Sequence, residues 1–170
     1  VASFTPVHRD GRDLGLLVER DPGPATAASF RDLTGSDADY AAWCGFYGEA
    51  ARLAAAVAPT LLEPLPAAAA MRDRVGAATW DAFVDRPLGE TVEARFRDDT
   101  VRGVVLTDAL IGTFAGAHDA DRLQNRCFLY HVVGNGTGEW RVPVGGMGAI
   151  TAALERAARD AGADLVTGAE

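Results

Sequence analysis

The chain has 170 residues, of which 48% are apolar, so it is long enough for one domain with a hydrophobic core. Its formal net charge is −8, and its 16 cationic side chains are all arginines spread along the sequence. This disfavours nucleic acids and anionic membranes as partners, because both are bound through a basic patch.

The first part of the chain predicts a β-hairpin followed by a short helix. Residues 3–7 and 14–19 are typical of strands and flank an Asp10-Gly11 turn, and Pro6 favours an edge position for the first strand. Residues 25–33 then predict a helix, which the glycine at position 35 ends.

A long amphipathic helix is predicted next, capped by side-chain oxygens of Ser36 or Asp37 and ending before Pro59. Apolar side chains recur at steps of three and four on one face: Tyr40, Trp43, Tyr47, Ala50, Ala54 and Val57. Polar residues lie off this face: Asp39, Glu49 and Arg52. Such a stripe could line a cofactor or ligand cavity, but we expect it to pack into the core.

The middle of the chain is mostly helical by pattern. We expect helices at residues 67–75, 80–83, 89–96 and 98–110. Residues 121–133 are ambiguous, because aromatic and β-branched residues favour a strand whereas helical spacing favours a helix. We incline to the helix.

A short extended run at residues 140–144 leads into a tight turn made by Gly145, Gly146, Met147 and Gly148. A helix is predicted at 149–161 and a strand at 163–167. Spacing alone makes this a weak dinucleotide-binding pattern. We favour an ordinary strand-to-helix turn, with anion or cofactor contact at the helix N-terminus as the less favoured interpretation.

Cysteine and histidine residues lack the spacing of metal or redox sites, so we expect no metal: these residues are Cys44, Cys127, His8, His118 and His131. Two isolated thiols are typical of a reducing compartment, and we expect a cytoplasmic protein. Hydrolase, kinase and zinc signatures are missing. The isolated carboxylates Asp108, Asp119 and Glu139 give no basis for assigning a catalytic residue.

Several runs together resemble the phytoene dehydrogenase-like FAD oxidoreductases, the group that includes carotenoid desaturases, carotenoid isomerases and pyridine nucleotide-disulfide oxidoreductase domain-containing protein 2. The runs are Gly112-Thr113-Phe114-Ala115, Leu123-Gln124-Asn125-Arg126, Tyr130-His131 and the stretch from Gly138 to Ala149, which contains Trp140-Arg141-Val142-Pro143-Val144-Gly145-Gly146-Met147-Gly148. The resemblance is strongest over residues 112–170.

The resemblance implies an α+β (mixed α/β) fold, in which a helix-rich substrate domain with a small sheet is inserted in an FAD/NAD(P)-binding fold. Residues 1–139 would be the substrate-binding domain, and residues 140–170 the β-turn-α-β return to the FAD domain. The intact enzyme would transfer hydride between FAD and an apolar or amine substrate. We do not expect this part alone to bind FAD tightly or to turn over.

The same resemblance implies site residues, each with a purely structural role as the alternative. Cofactor contacts are expected at Gly145, Gly146 and Met147. Substrate contacts are expected at Trp140, Pro143, Tyr130 and His131. The expected partners are a small apolar molecule and the remainder of the chain's own FAD domain, while a membrane surface is unsupported. The alternative function is a stand-alone, non-catalytic small-molecule binding or interaction domain.

Overall fold

A hairpin opens the chain and helices follow it, in a computed structural model that describes residues 3–134 and 142–169. The strands are β1 (Ser3–Arg9) and β2 (Arg12–Val18). The helices are α1 (Pro24–Thr34), α2 (Ala38–Val57), α3 (Ala68–Val75), α4 (Ala77–Trp80), α5 (Leu88–Arg95), α6 (Asp99–Leu110), α7 (Leu123–Val133) and α8 (Met147–Asp160). A 3-10 turn follows α2 at Ala58–Thr60, and a π-helical turn continues α4 at Asp81–Asp85. This confirms the predicted α+β class.

The chain divides into two compact units, Val1–Gly138 and Glu139–Glu170, and each is described by itself. Within the described ranges, no helix is both long enough and apolar enough to cross a membrane.

The predicted hairpin is confirmed, with strands slightly longer than expected. Asp10 and Gly11 both adopt left-handed backbone angles, with φ of 52° and 72°. Two such residues in a row form the tight turn whose twist matches that of the flanking strands. Arg9 therefore pairs directly with Arg12, and the antiparallel register runs on to Ser3 opposite Val18.

Helix α1 packs beside β2 and satisfies backbone groups of that strand. The hydroxyl oxygen of Ser29 accepts a hydrogen bond from the Leu17 amide at 3.0 Å and lies 3.1 Å from the Leu17 carbonyl oxygen. The Glu19 amide donates to the Thr26 hydroxyl, and the Thr26 amide donates to the Glu19 carboxylate. The hairpin is thus held on the helices by side chains of α1.

The core of the first unit is a cluster of aromatic rings around α2. Phe46 is fully buried, and its ring centroid lies 5.0 Å from that of Phe83, 5.5 Å from Phe96 and 5.6 Å from Phe128. The prediction that the stripe of α2 packs into the core is confirmed. The centre of the buried face, however, lies at Phe46, so that Tyr40 and Tyr47 are only partly buried.

Asp39 corrects another part of the helical pattern, because it is buried although we expected it off the apolar face. Its two carboxylate oxygens accept hydrogen bonds from the amides of Arg97 and Asp98, both at 3.0 Å. The Asp98 carboxylate in turn caps the first turn of α6 and contacts the Arg9 guanidinium at 2.6 Å. Arg9, Asp98 and Asp39 therefore connect the hairpin to α6 and α2.

Most of the ambiguous segment 121–133 forms helix α7, from Leu123 to Val133, and two buried side-chain amides near its start stabilise it. The side chain of Asn125 accepts from the Leu88 amide at 3.0 Å and donates to the carbonyls of Phe83 and Arg86 at 2.9 and 2.8 Å. Gln124 donates to carbonyls of the preceding loop. The start of the helix places these adjacent side chains against backbone groups that would otherwise be buried without partners.

In the second unit, α8 begins at Met147, so Met147 and Gly148 belong to its first turn rather than to the preceding turn. On α8, Glu155 and Arg159 form an i,i+4 ion pair at 2.9 Å. The expected strands are not formed by described residues, either at 142–144 or at 163–167. Residues 140 and 141 lie outside the description. A strand in a sheet requires a hydrogen-bonded neighbouring strand, and neither segment pairs with one among the described residues.

We expect Asp39→Ala to lower the free energy of unfolding by about 2–3 kcal/mol, because it leaves two backbone amides without their acceptor. Urea unfolding followed by circular dichroism measures this change. Asp37→Ala is the matched control, since Asp37 lies directly before α2. Its side chain does not cap the helix as predicted and forms an exposed pair with Arg31, so its loss should cost less than about 1 kcal/mol. Equal effects of the two variants would contradict the network.

Gly89 lacks a side chain and so allows the loop before α7 to pack closely against α5. A Cβ at this position would lie 2.7 Å from the carbonyl oxygen of Ala117 and 2.8 Å from the His118 ring. We expect Gly89→Ala to destabilise the protein by about 1–3 kcal/mol. The exposed helical Gly103 has open space around it. Gly103→Ala should therefore stabilise by about 0.5–1 kcal/mol. Thermal unfolding of both variants checks the opposite signs.

Candidate ligand-binding cleft

The first unit contains an open cleft of about 560 Å³ between the hairpin on one side and helices α2 and α6 on the other. This volume lies in the range of about 300–1,000 Å³ that small-molecule sites occupy. Its walls combine apolar and ionisable side chains: Val18, Glu19, Trp43, Tyr47, Val104 and Asp108.

Trp43 and Tyr47 form the aromatic wall of the cleft. They are one turn apart on α2, and their ring centroids are 4.5 Å from each other. Trp43 also packs against Phe30 at 5.4 Å and Phe96 at 6.4 Å, so the core fixes its position. The wall is therefore set before any ligand arrives, and both residues serve the core and the cleft at once.

Asp108 places a carboxyl group at the helical side of the cleft, one turn after Val104 on α6. Burial raises the pKa of Asp108, and the charge of the nearby His131 ring partly offsets this rise. Burial, and secondarily the Asp108 charge, raises the pKa of the Tyr47 hydroxyl. The cleft thus holds a partly desolvated acid beside a phenol that stays protonated.

The hairpin side carries charge of both signs. Glu19 is half-buried, and its carboxylate accepts hydrogen bonds from the amide and hydroxyl of Thr26 at 3.2 and 2.9 Å. Arg20 is exposed at the rim. Two carboxylates and one exposed guanidinium leave the described walls with an excess of negative charge.

The predicted substrate residues on α7 do not line this cleft. Tyr130 is 76% exposed, and its ring lies 5.3 Å from that of His131. His131 is half-buried, with Nδ1 at 2.8 Å from the Asp108 backbone oxygen and 2.9 Å from that of Cys127. A ring nitrogen facing two carbonyl oxygens carries the hydrogen, so His131 connects α7 to the backbone of α6 at Asp108.

The predicted cofactor residues lie together in the second unit. Gly145 and Gly146 have φ of 89° and 76°, and Met147 follows as the first residue of α8; all three are exposed. The Gly146 amide donates to the carbonyl of Pro143, which is half-buried, at 3.0 Å. Trp140 lies outside the described residues. Contact of this turn with an anion or cofactor stays a prediction.

No group of three or more His, Cys, Asp and Glu side chains in residues 3–134 and 142–169 is placed to hold a metal ion. Cys127 is close to His131, with Sγ at 3.6 Å from Nδ1, but its thiol also lies 3.3 Å from the Ile111 carbonyl. Burial, and secondarily the Asp108 charge, raises the pKa of this thiol. These surroundings favour the thiol over the nucleophilic thiolate.

Sequence reasoning gave the parts of the cleft without their assembly. The sequence indicates the stripe containing Trp43 and Tyr47 as a possible cavity wall, and Asp108 as an isolated carboxylate. The signal that joins them is a four-residue step on each helix, from Trp43 to Tyr47 and from Val104 to Asp108. The two steps face one cleft only in the folded chain, where α2 and α6 both pack against α7.

Comparison with known proteins gives a partial match to an oxidoreductase. The chain is 43% identical over 176 residues to uncharacterized proteins of Mycobacterium tuberculosis and Mycobacterium bovis, covering 99% of this chain and 32% of each of theirs. It thus spans about a third of the length of these relatives. It is also 32% identical over 84 residues to mouse pyridine nucleotide-disulfide oxidoreductase domain-containing protein 2, covering 48% of this chain and 14% of that protein. No family model and no solved structure matches.

We expect Asp108→Asn to raise the free energy of unfolding at neutral pH. A folded-state pKa above the unfolded value, which is about 3.9, means that the wild-type protein loses stability as pH rises through the folded pKa. The amide avoids this cost, so the advantage of the variant should vanish in acid. Urea unfolding at several pH values measures it. Asp73→Asn is the control, because it removes an equal charge at an exposed position, and its free energy of unfolding should show no such trend with pH. A lower free energy of unfolding for Asp108→Asn at neutral pH would contradict the conclusion that burial disfavours the Asp108 charge.

Proposed function

We propose that the chain is the helix-rich, substrate-binding part of a flavin-dependent oxidoreductase of the phytoene dehydrogenase-like group. In this proposal the complete enzyme transfers hydride between FAD and an apolar or amine substrate. The main support for the proposal is the partial similarity to the mouse oxidoreductase domain protein. It agrees with the resemblance of the motifs between Gly112 and Ala149 to the same group.

The length of the mycobacterial relatives supports the idea of one part within a larger enzyme. They match nearly the whole of this chain and extend well beyond it. The apolar side chains of α8 agree with this idea, since Met147 and Leu154 are 68% and 67% exposed. In a larger enzyme this face would pack against the remaining polypeptide.

The cleft supports a binding role for the first unit. When bound, the flavin would supply the hydride chemistry, so the protein needs to bind and orient the substrate and exclude water. The fixed wall of Trp43 and Tyr47 is suited to holding an apolar body. The proposal therefore requires no acid–base pair from this part of the chain.

The local geometry of the second unit is compatible with contact to an anionic cofactor. The glycine turn leaves the start of α8 without a side-chain cap among the described residues, and amides at a helix start favour negative groups. We assign Gly145, Gly146 and Met147 to the cofactor side. We assign Trp140 and Pro143 to the substrate side of the complete enzyme. Tyr130 and His131 do not line the cleft, so their assignment to the substrate side rests on the resemblance alone.

The test is to purify the complete polypeptide encoded by the reading frame that contains these 170 residues. We expect flavin absorbance that denaturation releases as free FAD, and bleaching of the bound flavin by a reductant. Residues 1–170 produced alone should be colourless under the same conditions, which serves as the control. A colourless complete polypeptide that does not take up added FAD would refute the proposal and favour a stand-alone binding domain.

A further inference from the structure

We propose that the cleft between the hairpin and helices α2 and α6 binds a molecule with an apolar body and one cationic nitrogen, whose positive charge lies at Asp108. This deepens the proposed function by naming the class of substrate. That the ligand is a substrate rests on the proposed function. That the cleft binds it rests on the structure of the cleft.

The shape and the apolar walls of the cleft suit a small organic molecule. Tyr47 is half-buried and offers ring surface, the adjacent Trp43 is 6% exposed and adds a small part of its ring, and Val18 and Val104 add aliphatic surface from β2 and α6. Burying an apolar body against these side chains is favourable in proportion to the area removed from water. Because Trp43 is held by Phe30 and Phe96, little ordering of the wall accompanies binding.

The charge of the cleft selects the sign of the ligand. The Asp108 carboxyl is half-buried, and no described side chain donates a hydrogen bond to it or forms an ion pair with it within 4 Å. A partly desolvated carboxylate without such a partner is stabilised by an incoming cation and repels an anion. Two groups oppose this preference. Arg20 lies on the rim, but it is exposed, so water and salt screen it strongly. The His131 ring acts on Asp108 from α7, but its Nδ1 contacts the Asp108 backbone oxygen rather than the carboxyl group.

The aromatic wall adds to the preference for a cation. A cationic nitrogen near Asp108 lies beside Tyr47, whose pKa the Asp108 charge already affects, and ring faces attract cations within about 6 Å of the centroid. Glu19 contributes a second carboxylate from the hairpin side. A neutral molecule of equal shape would keep the apolar contacts and lose these charge interactions.

The experiment compares three probes of similar shape and different charge: phenylbutylamine, phenylbutanol and phenylbutyrate. Isothermal titration calorimetry on the complete polypeptide at neutral pH measures their affinities. We expect the amine to bind about tenfold more tightly than the alcohol, as one charge-assisted contact provides, and the carboxylate not to bind detectably. Similar affinities for the three probes, or tighter binding of the carboxylate, would overturn the proposal.

The Asp108→Asn variant tests whether the preference for the amine comes from the Asp108 carboxylate. We expect it to reduce the affinity for the amine about tenfold and to leave the affinity for the alcohol unchanged. Asp73→Asn removes an exposed charge from α3 and should change neither affinity. An Asp108→Asn variant that keeps the selectivity for the amine would overturn the proposal.

Chemical-shift mapping on the wild-type protein tests the site without a substitution, so a folding defect of a variant cannot affect the result. Addition of the amine should shift the amide signals of Trp43, Tyr47, Val104 and Asp108, and shifts confined to other regions would overturn the proposal. The two proposals fail separately. Amine binding without flavin would refute the oxidoreductase and keep the cleft, whereas bound flavin without selectivity for the amine would refute the cleft assignment alone.

Discussion

The contact of Arg9 with Asp98, together with the hydrogen bonds that Asp39 accepts, is the constraint on which the position of the cleft depends. The guanidinium comes from the end of β1, the Asp98 carboxylate also caps α6, and the Asp39 carboxylate comes from the first turn of α2. Hydrogen bonds from Arg9 and from the amides of Thr100 and Val101 outweigh burial, the largest single effect, and lower the pKa of Asp98. The Asp98 carboxylate is therefore ionised at neutral pH, and the hairpin and the two helices meet around it.

Holding these elements together leaves the open space between them that becomes the cleft. One side of α2 supplies Phe46 to the core, and the adjoining side supplies Trp43 and Tyr47 to both core and cleft. Asp108 then stands at a place where burial disfavours its charge. A residue whose charge costs stability and faces an apolar cleft is typical of a binding site, because function and stability place different demands on such positions.

Local patterns sufficed for the parts of the fold that depend on neighbouring residues. The Asp10-Gly11 pair predicted the hairpin turn, and helical spacing predicted α2 and α6 with nearly correct bounds. Burial of Asp39 was not predictable in this way, because its partners Arg97 and Asp98 lie 58 and 59 residues further along the chain. Residues 163–167 have the composition of a strand but no neighbour among the described residues. The cleft was hidden for the same reason, since its walls come from elements distant in sequence.

The partial similarity to an oxidoreductase and the geometry of the cleft both support the proposal that the first unit binds a substrate with an apolar body and a cationic nitrogen, within a larger flavin-dependent enzyme. The most direct measurement is a crystal structure of the complete polypeptide with phenylbutylamine. The account predicts the nitrogen within hydrogen-bonding distance of the Asp108 carboxylate and the phenyl ring along Trp43 and Tyr47. An amine bound elsewhere, or bound in the cleft with its nitrogen turned away from Asp108, would contradict it.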